Sequence, residues 1–170
     1  MLQISFSIRQ ESTADIPQIE LLHADAFGPG RFARAAFLIR EGFPVDSRLC
    51  FVAHCGEELV GSVRLTPILL GEAAGQLLGP LTVKPTYKNK GIGRALLRHA
   101  VNRAREIGEK RILLVGDMPY YSPFGFNVLP SGLLKLPAPV DPARLLVADL
   151  SGNAIEDIGG VVRGRYQIES

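Results

Sequence analysis

At 170 residues, 46% apolar and 21% charged, the chain suits one globular domain spanning 1–170; disordered, collagen-like and membrane-spanning classes are excluded. Scaling of surface with mass removes about 69% of the unfolded surface from water on folding, enough for a core without disulfides or a structural metal. The net charge of +2 hides an asymmetry: residues 84–111 hold nine Lys/Arg against two acids, and this +7 focus suits a polyanionic partner.

The opening residues show no basic stretch ahead of an apolar one, so no signal peptide is expected and the expected compartment is the cytoplasm. Residues 3–9 alternate apolar Ile4, Phe6 and Ile8 with polar neighbours, which predicts a half-buried strand. Thr13 is placed to cap a helix in which Ile16, Ile19, Leu22, Ala26 and Phe27 follow helical spacing, with Pro17 in its first turn and Gly28 at its end. A second short helix is expected over 32–41. Strands are expected at 49–54, 59–70 and 76–83, joined by turns at 56–58 and 71–75. Cys50 and Cys55 fall in and just after the first of these. Five residues along a strand span about 16 Å, too far for a disulfide, and with three scattered histidines the thiols form no metal pattern. The strongest helical pattern covers 91–108. Its apolar stripe is Ile92, Ala95, Leu96, Ala100, Ala104 and Ile107, with Arg94, Arg98, Arg103 and Arg105 largely outside it. A buried strand over 111–115 follows, and further strands are expected at 124–129, 145–150 and 161–168.

The most informative segment runs from Leu81 to Leu97. A strand ends, a short basic loop turns, and a helix begins with Gly91 and Gly93 in its first turn. Free N–H groups at a helix start, unobstructed by Cβ atoms, can hold phosphate oxygens, and Lys88, Lys90 and Arg94 add charge. Other phosphate motifs fail on spacing. A dinucleotide fingerprint needs Gly or Ala where Leu96 stands, and no Gly-Lys-Ser or Gly-Lys-Thr of a P-loop occurs.

This segment resembles the acyl-CoA-binding motif of the GCN5-related N-acetyltransferase (GNAT) superfamily, Q/R-x-x-G-x-G/A after a strand of the form L-x-V-x-P. Here it reads Leu81-x-Val83-x-Pro85, then Lys88-Asn89-Lys90-Gly91-Ile92-Gly93, with Lys88 where the family usually has Gln or Arg. A second signature of the family, Y-x-x-x-G-F, is matched by Tyr121, Gly125 and Phe126. The run from Leu114 to Tyr121 further resembles a bacterial subgroup of predicted acetyltransferases. The resemblance implies a mixed α/β (α+β) fold. It has a mostly antiparallel central sheet, helices on both faces, and a splayed strand pair holding acyl-CoA. The acyl-CoA motif occupies about 78–108, and C-terminal strands follow about 124.

The same resemblance implies the roles. Acetyl-CoA is the cosubstrate, an amine-bearing molecule is the acceptor, and no metal takes part. The Leu81 N–H polarises the thioester carbonyl, and backbone along Leu81, Thr82 and Val83 pairs with pantetheine. N–H groups of Asn89, Gly91, Gly93 and Arg94 take the pyrophosphate, in a loop completed by Lys88, Lys90 and Ile92. Tyr121 protonates the departing thiolate, with Tyr120, one residue off the motif, as the alternative. The base is left open between Glu20, Asp25, Asp117 and water, because residues 77–83 carry no acid where many relatives place a glutamate. Rival readings are an acyl-CoA sensor without turnover and an anion- or nucleic-acid-binding module built on 84–111. A base-stacking platform has little support, since Tyr87 is the sole aromatic in that segment. The acceptor's identity and the choice between monomer and homodimer are open.

Overall fold

The computed structural model describes residues 4–28, 30, 34–153 and 155–166. Among these, nine strands join in one sheet: β1 (Ser7–Gln10), β2 (Phe51–Cys55), β3 (Glu58–Leu70), β4 (Ala73–Val83), β5 (Arg111–Val115), β6 (Phe126–Val128), β7 (Leu134–Lys135), β8 (Leu145–Asp149) and β9 (Gly160–Gly164). The order is β1-β2-β3-β4-β5-β8-β6, and β9 joins the far end of β3 to β7. Pairing is antiparallel except at β4–β5 and β7–β9. The helices are α1 (Ile16–Phe27), α2 (Ala35–Arg40), α3 (Ile92–Glu106) and α4 (Met118–Tyr121).

Strand alternation divides the core between the two faces. Phe51 and Ala53 of β2, Ile112 and Leu114 of β5, and Leu146 and Ala148 of β8 pack with Leu96, Leu97, Ala100 and Ala104 of α3. The intervening residues point the other way. Val52 meets Ile19 and Leu22 of α1, while Leu113 and Val147 join Ile39 of α2. A glycine lets α3 sit close to the sheet: a Cβ on Gly61 of β3 would lie 2.9 Å from Leu96 Cδ1 and 3.1 Å from Ile92 Cγ2.

Several local expectations change. The first strand covers Ser7–Gln10, and Gln3 lies outside the described residues. Thr13 is not the cap. The Ser12 N–H donates to Asp15 Oδ2 at 2.8 Å, and a 3₁₀ turn over Thr13–Asp15 leads into α1. A carboxylate three residues on reaches that N–H, and hydrogen bonds from Arg9 hold Asp15 down to about 2. The second helix is only Ala35–Arg40, residues 32 and 33 lying outside the described set. Gly71 and Glu72 alone turn β3 into β4, because Gly71 has φ +69° and sits directly on the backbone of Gly159. Cys50 precedes β2, with its thiol donating to the Asp46 carbonyl at 3.2 Å, and burial pushes it up to about 12. It is free, as is half-buried Cys55. The helical stripe also takes in Leu97 and Val101. The last two strands shorten to Leu145–Asp149 and Gly160–Gly164, and β6 starts only after Gly125, whose φ of +93° closes a 3₁₀ turn.

Gly61→Val tests the helix–sheet spacing. The two branches would enter filled space under Leu96 and Ile92, so urea unfolding should show a loss of about 1–3 kcal/mol, with Gly61→Ala losing less.

Candidate active site

The site grows from a failure of strand pairing. β4 and β5 run parallel but pair only at Gln76–Ile112 and Leu77–Leu113. Beyond Leu78, β4 stays on β3 through a bulge: Leu65 faces Leu78 and Val63 faces Leu81, so one extra residue is taken up around Gly79 and Pro80. Proline brings no N–H to a ladder, and Gly79 stands at φ +136°, so the chain there leaves the regular register. β5 meanwhile ends at Val115 and turns through Gly116 into α4. Gly79, Pro80 and Leu81, half-buried, therefore border a gap where the first part of β4 borders a strand.

This edge leads to the N-terminus of α3. Asn89 (φ +62°) and Gly91 (φ +86°) both adopt left-handed backbone, which Asn tolerates and Gly prefers. The first intrahelical bond runs from the Ala95 N–H to the Gly91 carbonyl at 3.1 Å, leaving the N–H groups of the first turn for another acceptor. Glu58, at the start of β3, anchors the loop. Its carboxylate accepts from Lys84 Nζ at 2.5 Å and from the Tyr87 hydroxyl at 2.8 Å, and these bonds hold it below the usual carboxylate range. Gly93 keeps the turn open: a Cβ there would stand 2.9 Å from the Tyr120 hydroxyl and 3.5 Å from Val83 Cγ2.

Opposite the edge, α4 presents two tyrosines. Their rings meet edge-on at 4.9 Å, and Tyr121 packs edge-on against Phe126 at 5.9 Å. Gly116 makes room, since a Cβ there would collide with the Tyr121 ring. Burial, then the neighbouring Tyr120 and Asp117, pushes the Tyr121 hydroxyl up to about 12. Burial raises Tyr120 as well, against a lowering by Arg94. Both therefore keep their protons at neutral pH and act as donors.

Two clefts flank this point. The narrower, about 390 Å³, follows the turn from Val83 through Asn89 and Gly93; the wider, about 630 Å³, lies under α2 and extends to Asp141 and Arg144. They share Leu81, Tyr120 and Tyr121.

The structure gathers Leu81, Val83, Lys88, Asn89, Gly91, Ile92, Gly93, Arg94 and Tyr121 on the narrower cleft. Thr82 and Lys90 depart from this: the Thr82 side chain is buried in the sheet, and Lys90 is exposed outside the lining. Of the candidate bases, Asp117 alone lines a cleft that also contains Leu81. Asp25 is exposed on α1, Glu20 is exposed beside a smaller cavity, and Asp117 pairs with Arg144 at 3.3 Å. The basic helix is also less free than its charge implies. Arg94 and Arg98 lie over the rings of Tyr120 and Phe124 at 5.7 and 5.5 Å, Arg103 pairs with Glu106, and Arg105 bonds Asn102. Sequence reasoning missed Gly79, Pro80 and Arg40. A Gly-Pro pair inside a strand pattern is a readable sign of a bulge, whereas Arg40 at a helix end gives none.

The acetyltransferase (GNAT) domain family matches residues 46–128, the stretch from just before β2 to the end of β6. The uncharacterized N-acetyltransferase YhbS of Escherichia coli K12 is 28% identical over 159 residues, covering 91% of this chain and 93% of that protein. The crystal structure of E. coli YhbS in complex with CoA aligns with TM-score 0.79 at 25% identity, over 97% of this chain and 92% of that one. In the family model, in these relatives and in fold, the chain is similar to the GNAT superfamily of N-acetyltransferases. A GNAT family acetyltransferase from Brucella melitensis, in complex with acetyl-CoA, shares the fold with TM-score 0.60 at 24% identity, over 85% and 96% of the two chains. Against the GNAT pattern, Lys88 replaces the usual Gln or Arg, and β4 lacks an acid from Leu77 to Val83.

Proposed function

We propose that this GNAT-like protein moves an acetyl group from acetyl-CoA to a primary amine. The observation that carries the reading is a partnerless strand edge that runs from Gly79 to the first turn of α3 and faces two protonated tyrosines. Pantetheine takes the place of the missing strand, its amides pairing with the backbone of Val83. Pyrophosphate oxygens accept from the N–H groups of Asn89, Gly91, Gly93 and Arg94, where the helix dipole also favours negative charge. The Leu81 N–H donates to the thioester carbonyl and stabilises the charge that builds on its oxygen.

The amine nitrogen attacks the carbonyl carbon, a C–N bond forms, the C–S bond breaks, and sulfur leaves as thiolate. Tyr121 donates its hydroxyl hydrogen bond to that sulfur. A phenol at about 12 is a weaker acid than a thiol near 8.5, so the proton stays mainly on oxygen and the stabilisation is that of a hydrogen bond to a charged group. The amine's surplus proton passes to water at the open mouth of the wider cleft, where exposed Asp117 also stands.

Three measurements check this. Gly93→Val, which fills the turn and displaces the Tyr120 hydroxyl, should keep a native circular dichroism spectrum yet weaken acetyl-CoA binding by at least 100-fold in calorimetry; unchanged binding removes the assignment. Lys88→Ala and Lys90→Ala should each weaken binding several-fold at low salt, a difference that closes at 0.5 M salt as screening shortens to a few ångströms. Tyr121→Phe should lower kcat by roughly 10- to 100-fold while the acetyl-CoA Kd stays within about twofold. Because the phenol keeps its proton to about 12, the shape of the rate profile below pH 10 should not change. If Tyr120→Phe carries the loss in kcat and Tyr121→Phe does not, the donor is Tyr120.

A further inference from the structure

The wider cleft continues beneath Gly79 and Pro80 into an inner cavity of about 290 Å³. Arg40, the last residue of α2, lines both spaces, and its Nη1 lies 3.4 Å from where a Cβ on Gly79 would stand. Neighbouring guanidinium groups have carboxylates. Arg64 donates to Glu11 at 2.7 and 3.1 Å, and Arg144 meets Asp117 at 3.3 Å. Arg40 has no ion pair among the described residues. Glu20 and Glu41, the acids on the inner cavity's wall, are exposed and make no bridge to it. Burial, and then Arg64, push its guanidinium down to about 10, so it remains charged at neutral pH. Arg40 is half-buried, and a cation partly withdrawn from water without a counterion favours an anionic partner. A second donor waits nearby: Thr66 on the inner cavity's wall is fully buried, and its hydroxyl has no hydrogen-bond partner among the described residues.

We propose that Arg40, with Thr66 behind it, binds a carboxylate of the acceptor, so that the acceptor class is a small amine bearing a carboxylate, a free amino acid in kind. This rests on the transfer reading above. Gly79, beside the guanidinium, and Leu81, beside the thioester, are two residues apart on β4, roughly 6–7 Å in extended backbone and less across a bulge. A charge-assisted N–H···O contact takes about 2.8 Å of that span. The attacking nitrogen and the carboxylate are thus separated by only a few bonds, which fits an α- or β-amino acid and not a lysine side chain or a polyamine. The planar, five-donor guanidinium grips such a carboxylate in two-point fashion. Arg34, over the Phe27 ring at 5.2 Å in the outer cleft, adds positive field at the entrance.

The test measures release of free CoA with the twenty L-amino acids and with amines lacking the carboxylate: phenethylamine against L-phenylalanine, 3-methylbutylamine against L-leucine, cadaverine against L-lysine. Acetyl-CoA binding is followed by calorimetry on the same samples. At least one amino acid should turn over, with kcat/KM exceeding that of its carboxylate-free partner by 10-fold or more. Arg40→Gln should raise KM for that amino acid by roughly 10- to 100-fold, the worth of a hydrogen bond to a charged group, and leave the acetyl-CoA Kd unchanged. Arg40→Lys should recover part of the loss, and Thr66→Val should raise KM by a smaller factor. The comparison of amine pairs needs no variant, so it stands even if Arg40→Gln does not fold. A protein that binds acetyl-CoA but prefers the carboxylate-free amines, or turns over no amino acid, overturns this assignment alone. Equal losses in Arg40→Gln for both members of a pair overturn it as well. A protein that does not bind acetyl-CoA overturns the transfer reading, and the acceptor assignment with it.

Discussion

A parallel strand pair that parts after Leu77 and Leu113 leaves backbone N–H and C=O groups facing a gap inside the sheet instead of at its rim. Such groups are costly to bury without partners, and here they stay half-exposed along Gly79, Pro80 and Leu81. The rest of the site is arranged around keeping that gap open. The bulge at Gly79 and Pro80 keeps β4 tied to β3 while releasing it from β5, and Gly116 turns β5 away into α4. Glu58 fixes the basic loop at the far end, so the opening finishes at the first turn of α3.

How much of this could be read in advance depended on whether the cause was local. α3, β5 and β8 follow from periodicity, because each buries one apolar set against one neighbour. The turn from Lys88 to Gly93 follows from two glycines and a preceding strand, and Asn89 with its positive φ fits that reading. The cap of α1 was missed because Ser12 and Asp15 act as a pair, with Arg9 from another element completing it. β7 pairs over two residues, too short for any pattern. The committed state of Arg94 and Arg98 depends on where α4 and the turn after it fold back, each ring lying 26 residues downstream of its arginine. Arg40 is the clearest case: nothing in its neighbours distinguishes it from a solvated helix end, and only tertiary packing puts it under the β4 bulge.

Charge and burial divide the labour between the two clefts. The narrower one, on the basic loop and a helix start, offers backbone N–H groups and exposed Lys88 to the phosphates of the proposed cosubstrate. The wider one sets its cations beside aromatic and proline side chains, with Arg40 half-buried and Arg34 and Arg144 exposed at its mouth. Tyr120 and Tyr121 stand at the junction, and their burial keeps them neutral donors on both sides.

In the transfer proposed above, that junction also orders the arrival of the two reactants. Leu81, Tyr120 and Tyr121 belong to both clefts, so whatever fills the narrower one becomes a wall of the wider one. An acceptor arriving first would meet a chamber lacking one side; arriving second, it meets a closed pocket with the acyl carbon already at its edge. Neither cysteine stands in that wall, and the buried Cys50 thiol, pushed up to about 12, has almost no thiolate to offer. The acyl group thus has no cysteine in either cleft on which to rest. On the transfer proposed above, both reactants are aboard together, the nucleotide carrier boards first and leaves last, and initial-rate lines intersect instead of running parallel.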